Sequence, residues 1–200
     1  MLSRRELSRK CIHVAVGVTA SALFYFDVLS PLGVFFLIIA GVLLSFIVKR
    51  IRIPLISTFL DLFERDDLRK TFPGKGTIFF FIGMLLVIKL FPKDIALASL
   101  MILTFGDSVS HIIGAEFGSI KNIFNGKSKK LLEGTLAGTL AGCAAAVLFV
   151  PFPEAFLGSL GAMIAEVVQI DFNERTLDDN VVVPLVAGAV MVLLGKVMGG

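Results

Sequence analysis

Apolar segments of about 15 to 20 residues recur along the whole chain, near residues 11–29, 32–48, 77–92, 95–114, 131–150, 156–170 and 181–198, separated by charged or Pro- and Gly-containing connections. Segments of that length cross the hydrocarbon core as helices, because a helix satisfies every backbone polar group internally. The sixth is the shortest. Composition points the same way: the chain is 56% hydrophobic and 18% charged, with mean hydropathy +0.91, too apolar for a surface that water must wet. A soluble fold is excluded. The chain reads as all-α, a single polytopic domain over residues 1–200 with about seven transmembrane helices.

Between the second and third segments, Pro54 to Lys70 carries Leu55, Ile56, Phe59, Leu60 and Phe63 at helical spacing beside Asp61, Glu64 and Arg65. That pattern predicts an amphipathic helix lying in the membrane interface. The basic start, Arg4-Arg5 through Arg9-Lys10, followed by an apolar run with Ala20-Ser21-Ala22, imitates a signal peptide. Apolar residues continue past that point and more spans follow, so a retained first helix is expected. Cys11 and Cys143 lie far apart inside apolar runs and read as packing residues, not as a disulfide or zinc site.

With an inward N-terminus, sixteen of the nineteen Lys and Arg residues fall on segments 1–10, 49–76, 115–130 and 171–180, leaving Lys89, Lys93 and Lys196 outside. The positive-inside rule then puts the N-terminus and these basic loops in the cytoplasm. A basic face of that kind suits lipid headgroups or a polyphosphate.

Asp107 ends the fourth segment in Gly106-Asp107-Ser108-Val109-Ser110-His111. A charge at such a depth costs about 2.5–3.5 kcal/mol, so this carboxylate is expected to face a polar cavity, a metal or a cationic partner. Lys127, Lys129 and Lys130 run into a helix start bearing Glu133-Gly134, a setting suited to phosphate. Glu133 is either a first-turn carboxylate that stabilises its helix or a group that binds metal or orients lysine. Gly126-Lys127-Ser128 is not a Walker A motif, because Lys121 stands where its first glycine belongs. Gly134, Gly138 and Gly142 form a smooth helix face for close packing.

The last inner loop is acidic, and its Asp178-Asp179-Asn180 reads as a corner for a divalent cation or ribose, or as a solvated turn capped by Asn180. Lys10 and His13 share one face of the first helix. Snorkelling accounts for Lys10 more readily than for His13, which lies deeper. Arg69, Lys70 and Gly74-Lys75-Gly76 add cations and a flexible backbone to the second inner loop.

Taken in order, Arg9-Lys10-x-x-His13-x-x-x-Gly17, Gly74-Lys75-Gly76, Gly106-Asp107 through Gly114 and Phe117-Gly118, Lys129-Lys130-x-x-Glu133-Gly134, and Asp178-Asp179-Asn180-x-x-x-Pro184 resemble the CTP-dependent lipid kinase family of dolichol kinases, phytol kinases and yeast-type diacylglycerol kinases. The resemblance spans nearly the whole chain. It implies transfer of a phosphoryl group from CTP, with Mg²⁺, to the hydroxyl of a membrane lipid alcohol at the cytoplasmic face of the cytoplasmic membrane, or of the endoplasmic reticulum.

On that resemblance Asp107 and Asp179 are the leading metal ligands, with Asp178 and Glu133 behind them. Lys10, Lys75, Lys129 and Lys130 hold the triphosphate, Asn180 touches metal or nucleotide, and His13 orients phosphate or substrate. The chain departs from the family pattern at Ser110, His111, Ala115 and Glu116, so Lys121 or Lys127 takes over a phosphate contact, and His111 is either a proton acceptor or a hydrogen-bonded bystander. The expected partners are CTP, the lipid alcohol and the bilayer, with no nucleic acid and with a homo-oligomer left open. A cytidylyltransferase like CDP-diacylglycerol synthase is the first alternative, and a small transporter or membrane scaffold the second.

Overall fold

In the computed structural model, residues 3–64, 71–121, 131–168 and 177–198 are described. They form α1 (Arg4–Tyr25), α2 (Pro31–Arg50), α3 (Pro54–Phe63), α4 (Lys75–Leu90), α5 (Lys93–Met101), a π-helical segment (Ile102–Asp107), α6 (Ser108–Phe117), α7 (Leu132–Ala146), α8 (Phe152–Val168) and α9 (Asp179–Met198). Among the described residues no strand forms beyond a bridge between Lys121 and Leu131. Each expected apolar segment is helical over most of its described residues, the fourth running through α5, the π-helical segment and α6, and the amphipathic stretch after α2 is helical over Pro54–Phe63, with residues 65–70 outside the described residues.

The helix starts follow from local chemistry. Ser3 and Ser30 accept hydrogen bonds from the backbone N–H groups of Glu6 and Gly33, and Pro31 and Pro54 occupy first-turn positions where a missing N–H costs nothing. Gly74, at φ +76°, caps α4 in a left-handed conformation that suits glycine.

Among the described residues, three helices are long and apolar enough to cross a membrane: Pro31–Arg50, the continuous Lys93–Phe117 and Asp179–Val197. The helices α4, α7 and α8, at 16, 15 and 17 residues, rise only about 23–26 Å, short of a hydrocarbon core of about 30 Å. α1 is long enough but begins with several charges.

The Lys93–Phe117 helix is the core element. Ala96 to Thr104 are all buried, the mark of a helix enclosed on all sides. Around it pack α1, α7, α8 and α9, with α4 against α9 and α2 against α4. The outer helix α2 leaves Phe35, Phe36, Leu43 and Phe46 exposed, a surface suited to lipid.

Glycines set the closest approaches. A Cβ on Gly17 would strike the Thr104 side chain, one on Gly138 would lie 2.7 Å from the Gly106 carbonyl oxygen, and one on Gly142 would meet Ser159 Oγ. The stripe Gly134, Gly138 and Gly142 is thus the packing surface of α7 against the core helix and α8. Gly138→Val should therefore lower the stability of the purified protein by about 1–3 kcal/mol through overpacking. Gly76→Ala, where an added Cβ meets nothing within 4 Å, should change it little. With no tryptophan and one tyrosine in the chain, far-UV circular dichroism melting is the measurement.

Candidate functional site

The core helix loses its regular α pitch over Ile102–Asp107, where it widens into a π segment. Such a segment frequently marks a functional site, and this one ends on Asp107. Thr104 bonds back to the Leu100 carbonyl within it at 2.7 Å.

Asp107 is 7% exposed, and Lys10 of α1, at 9%, sets its Nζ 2.6 Å from Asp107 Oδ2. The pair joins residues far apart in sequence, and burial strengthens a charge-assisted bond of this length. One turn along α1, His13 Nε2 lies 3.9 Å from the same oxygen. That nitrogen is buried and has no hydrogen-bond partner among the described residues, while the ring sits edge-on to Phe80 at 5.8 Å.

Two further carboxylates converge on Asp107. Glu166 projects from α8 and is 4% exposed; its Oε2 accepts from Ser110 Oγ at 3.4 Å. Asp179 opens α9. One oxygen from each of Asp107, Glu166 and Asp179 lies within 4.8 Å of the other two. Three carboxylates so close repel one another unless a cation joins them or a proton is retained. An all-oxygen donor set of this kind fits a hard divalent cation such as Mg²⁺.

Beside this group, Asp178 faces away from it in its bonding. Its Oδ1 accepts from Asn180 Nδ2 at 2.8 Å and from Asn180 N at 3.3 Å, and its Oδ2 lies 3.4 Å from Lys75 Nζ. Lys75 also sits over the Phe79 ring at 5.2 Å. Gly83 makes this arrangement possible, since a Cβ there would overlap the Asn180 carbonyl. The start of α9, with Asp178, Asp179 and Asn180, is thereby seated against α4.

Glu133 lies apart from the three carboxylates in its bonding: Oε1 accepts from Ser119 N at 2.9 Å, Ser119 Oγ at 2.8 Å and Ile120 N at 3.0 Å. Together with the Leu132 N to Ile120 O bond, it ties the start of α7 to the chain leaving α6. His111 Nε2 is 2.6 Å from Glu6 Oε1, which also meets Arg9 at 2.5 Å. Lys127, Lys129, Lys130, Arg69 and Lys70 lie outside the described residues.

Of the residues expected from sequence, Asp107, Asp179, Lys10 and His13 thus come together, and Lys75, Asp178 and Asn180 form an adjoining cluster. Sequence reasoning missed Glu166. Its signal was present: it is an acid inside the apolar segment 156–170, and the cost of burying a charge that singled out Asp107 applies to it equally.

No family model matches the chain, and no solved structure matches it. It is 32% identical over 192 residues to an uncharacterized protein of Methanocaldococcus jannaschii, covering 94% of this chain and 93% of that one. It is 29% identical over 138 residues to CTP-dependent diacylglycerol kinase 1 of Schizosaccharomyces pombe, covering 60% of each. It is 28% identical over 219 aligned positions to a probable chloroplastic phytol kinase of Triticum aestivum, covering 96% of this chain and 69% of that one.

Removing the Lys10 ammonium leaves Asp107 buried beside two other acids. Lys10→Met should destabilise the protein by about 3–5 kcal/mol, and millimolar Mg²⁺ should recover part of the loss, both read by far-UV circular dichroism melting. An unchanged melting temperature would refute this account of the pair.

Proposed function

Because this chain belongs to the CTP-dependent lipid kinase family, we propose that it is an integral membrane kinase that moves the γ-phosphoryl group of CTP to the hydroxyl of a membrane lipid alcohol. The observation that carries this reading is the convergence of Asp107, Glu166 and Asp179 with Lys10 at the end of the π segment. Phosphoryl transfer asks chiefly for positioning and charge stabilisation, and this group offers carboxylates for a divalent cation with cations beside them. Relatives named as CTP-dependent kinases support CTP as donor, and the all-oxygen donor set of the three carboxylates is what supports Mg²⁺ as the accompanying ion.

In this reading Asp107, Glu166 and Asp179 hold Mg²⁺, which when bound neutralises phosphate charge. Lys10 and Lys75 approach the phosphates, and Asn180 with Asp178 keeps Lys75 at the site's edge. Lys129 and Lys130, outside the described residues, contribute from the sequence just before Glu133. His13 Nε2, without a hydrogen-bond partner among the described residues and facing Asp107, receives the proton as the lipid oxygen attacks. The new P–O bond forms to the lipid oxygen, the β–γ bridging P–O bond breaks, and CDP departs.

The proposed topology has seven spans, with the N-terminus and the carboxylates on the cytoplasmic side. The count of Lys and Arg supports it, and tilt or local thinning of the bilayer accommodates the shorter helices. The acceptor class comprises polyprenols, phytol-like alcohols and diacylglycerol.

Purified protein given γ-labelled CTP, Mg²⁺ and a panel of these alcohols should place label in lipid and release CDP. Asp107→Asn, Glu166→Gln and Asp179→Asn should each lower the rate at least about 100-fold. Pyrophosphate released with a lipid phosphate as acceptor would instead establish a cytidylyltransferase, and the absence of both products would end the enzymatic reading.

A further inference from the structure

Glu64 closes α3, and three of its polar atoms bond to three different helices. Its backbone N–H donates to the Leu60 carbonyl within α3 at 2.9 Å, and its own carbonyl accepts from Arg5 Nη2 of α1 at 2.5 Å. Its side-chain Oε1 accepts from the Gly74 N–H at 2.8 Å, ten positions on in sequence, where α4 begins.

That last bond supplies something α4 lacks. The N–H groups at a helix start have no partner inside the helix, and a common remedy is an acid three residues in, whose side chain reaches back to the capping N–H. In α4 the capping residue is a glycine, and the third residue in is Thr77. Glu64 brings the missing carboxylate from another helix. A charge-assisted bond at the positive end of a helix is one of the stronger kinds.

Lys75 is the first residue of α4. Its ammonium lies over the Phe79 ring at 5.2 Å and 3.4 Å from Asp178 Oδ2, and Phe79 is itself backed by the Phe72 ring at 6.4 Å. Residues four apart share a face only while the turn between them is wound. The meeting of Lys75 with Phe79 therefore requires the first turn of α4, whose first bond runs from the Ile78 N–H to the Gly74 carbonyl at 3.0 Å.

We propose that Glu64 is a positioning residue: it holds the first turn of α4 wound and so keeps Lys75 aimed at the phosphates of the nucleotide. The inference rests on the lipid-kinase reading for what Lys75 binds and deepens it by assigning what holds Lys75 in place.

The test uses the full chain in phosphatidylcholine nanodiscs. Hydrogen exchange at the Ile78 amide, read by mass spectrometry, should quicken at least about tenfold in Glu64→Leu yet stay within about threefold of wild type in Glu64→Gln, whose amide oxygen still accepts. Glu64→Asp keeps the charge but is one carbon shorter, and should move in the direction of Glu64→Leu. Unchanged exchange at Leu100, in the core helix, shows that each variant is folded. In turnover, Glu64→Leu should raise KM for CTP about tenfold with kcat within about twofold of wild type. Added to Lys75→Met, it should raise that KM no further, because the two act through one group. Wild-type exchange at Ile78 in Glu64→Leu, or a rise in KM that persists in full beside Lys75→Met, overturns the proposal. If the wild type transfers nothing from CTP, the kinase reading fails, and the exchange rates alone uphold or overturn the hold of Glu64 on the turn that carries Lys75.

Discussion

The ion pair between Lys10 and Asp107 is the constraint on which the arrangement depends. Neither charge is stable alone in so dry a place, and each is carried by a different helix. Their attraction fixes the height of α1 against the core helix and brings His13 to the same carboxylate. The close approach of Gly17 to Thr104 holds the two helices together further along. A buried pair of this sort adds little net stability compared with apolar packing. What it supplies here is register.

Much of this was readable in the sequence, and for a physical reason. Hydropathy reports where a chain is willing to leave water, so the helices could be placed to within a few residues. The cost of an intramembrane charge picked out Asp107. Neighbourhood is another matter, because helices that share a hydropathy profile can be bundled in many orders. Hence Lys10 looked like a snorkelling residue until its partner, 97 positions away, was seen. Glu166 was passed over because it stands alone, without the glycine and aspartate neighbours that made other motifs conspicuous. Asp178 and Asp179 look equivalent as adjacent letters, yet the turn into α9 directs one toward Lys75 and the other toward Asp107 and Glu166.

The glycines explain how so many charged groups can meet among apolar helices. Gly83 admits the chain entering α9, and Gly134 and Gly138 let α7 lie against the stretch from Gly106 to Gly114. Close backbone contact leaves little room for lipid or loose water between the helices. The acids therefore face one another across a narrow gap lined by small residues. Fixed charges in a site of this sort act with little reorganisation.

The π segment has a consequence for how the core helix can change over time. One extra residue in a regular helix turns everything beyond it by about 100°, which would swing Ser110 away from Glu166. A wide turn absorbs such a residue and leaves both flanks aligned with their neighbours. The stretch Lys93–Met101, enclosed by apolar helices, and the stretch Ser108–Phe117, beside the acids, are in this sense two modules joined by a compliant coupling. Mutations that reshape the packing around the first need not rotate the second, so that packing can change while the charged centre stays aimed.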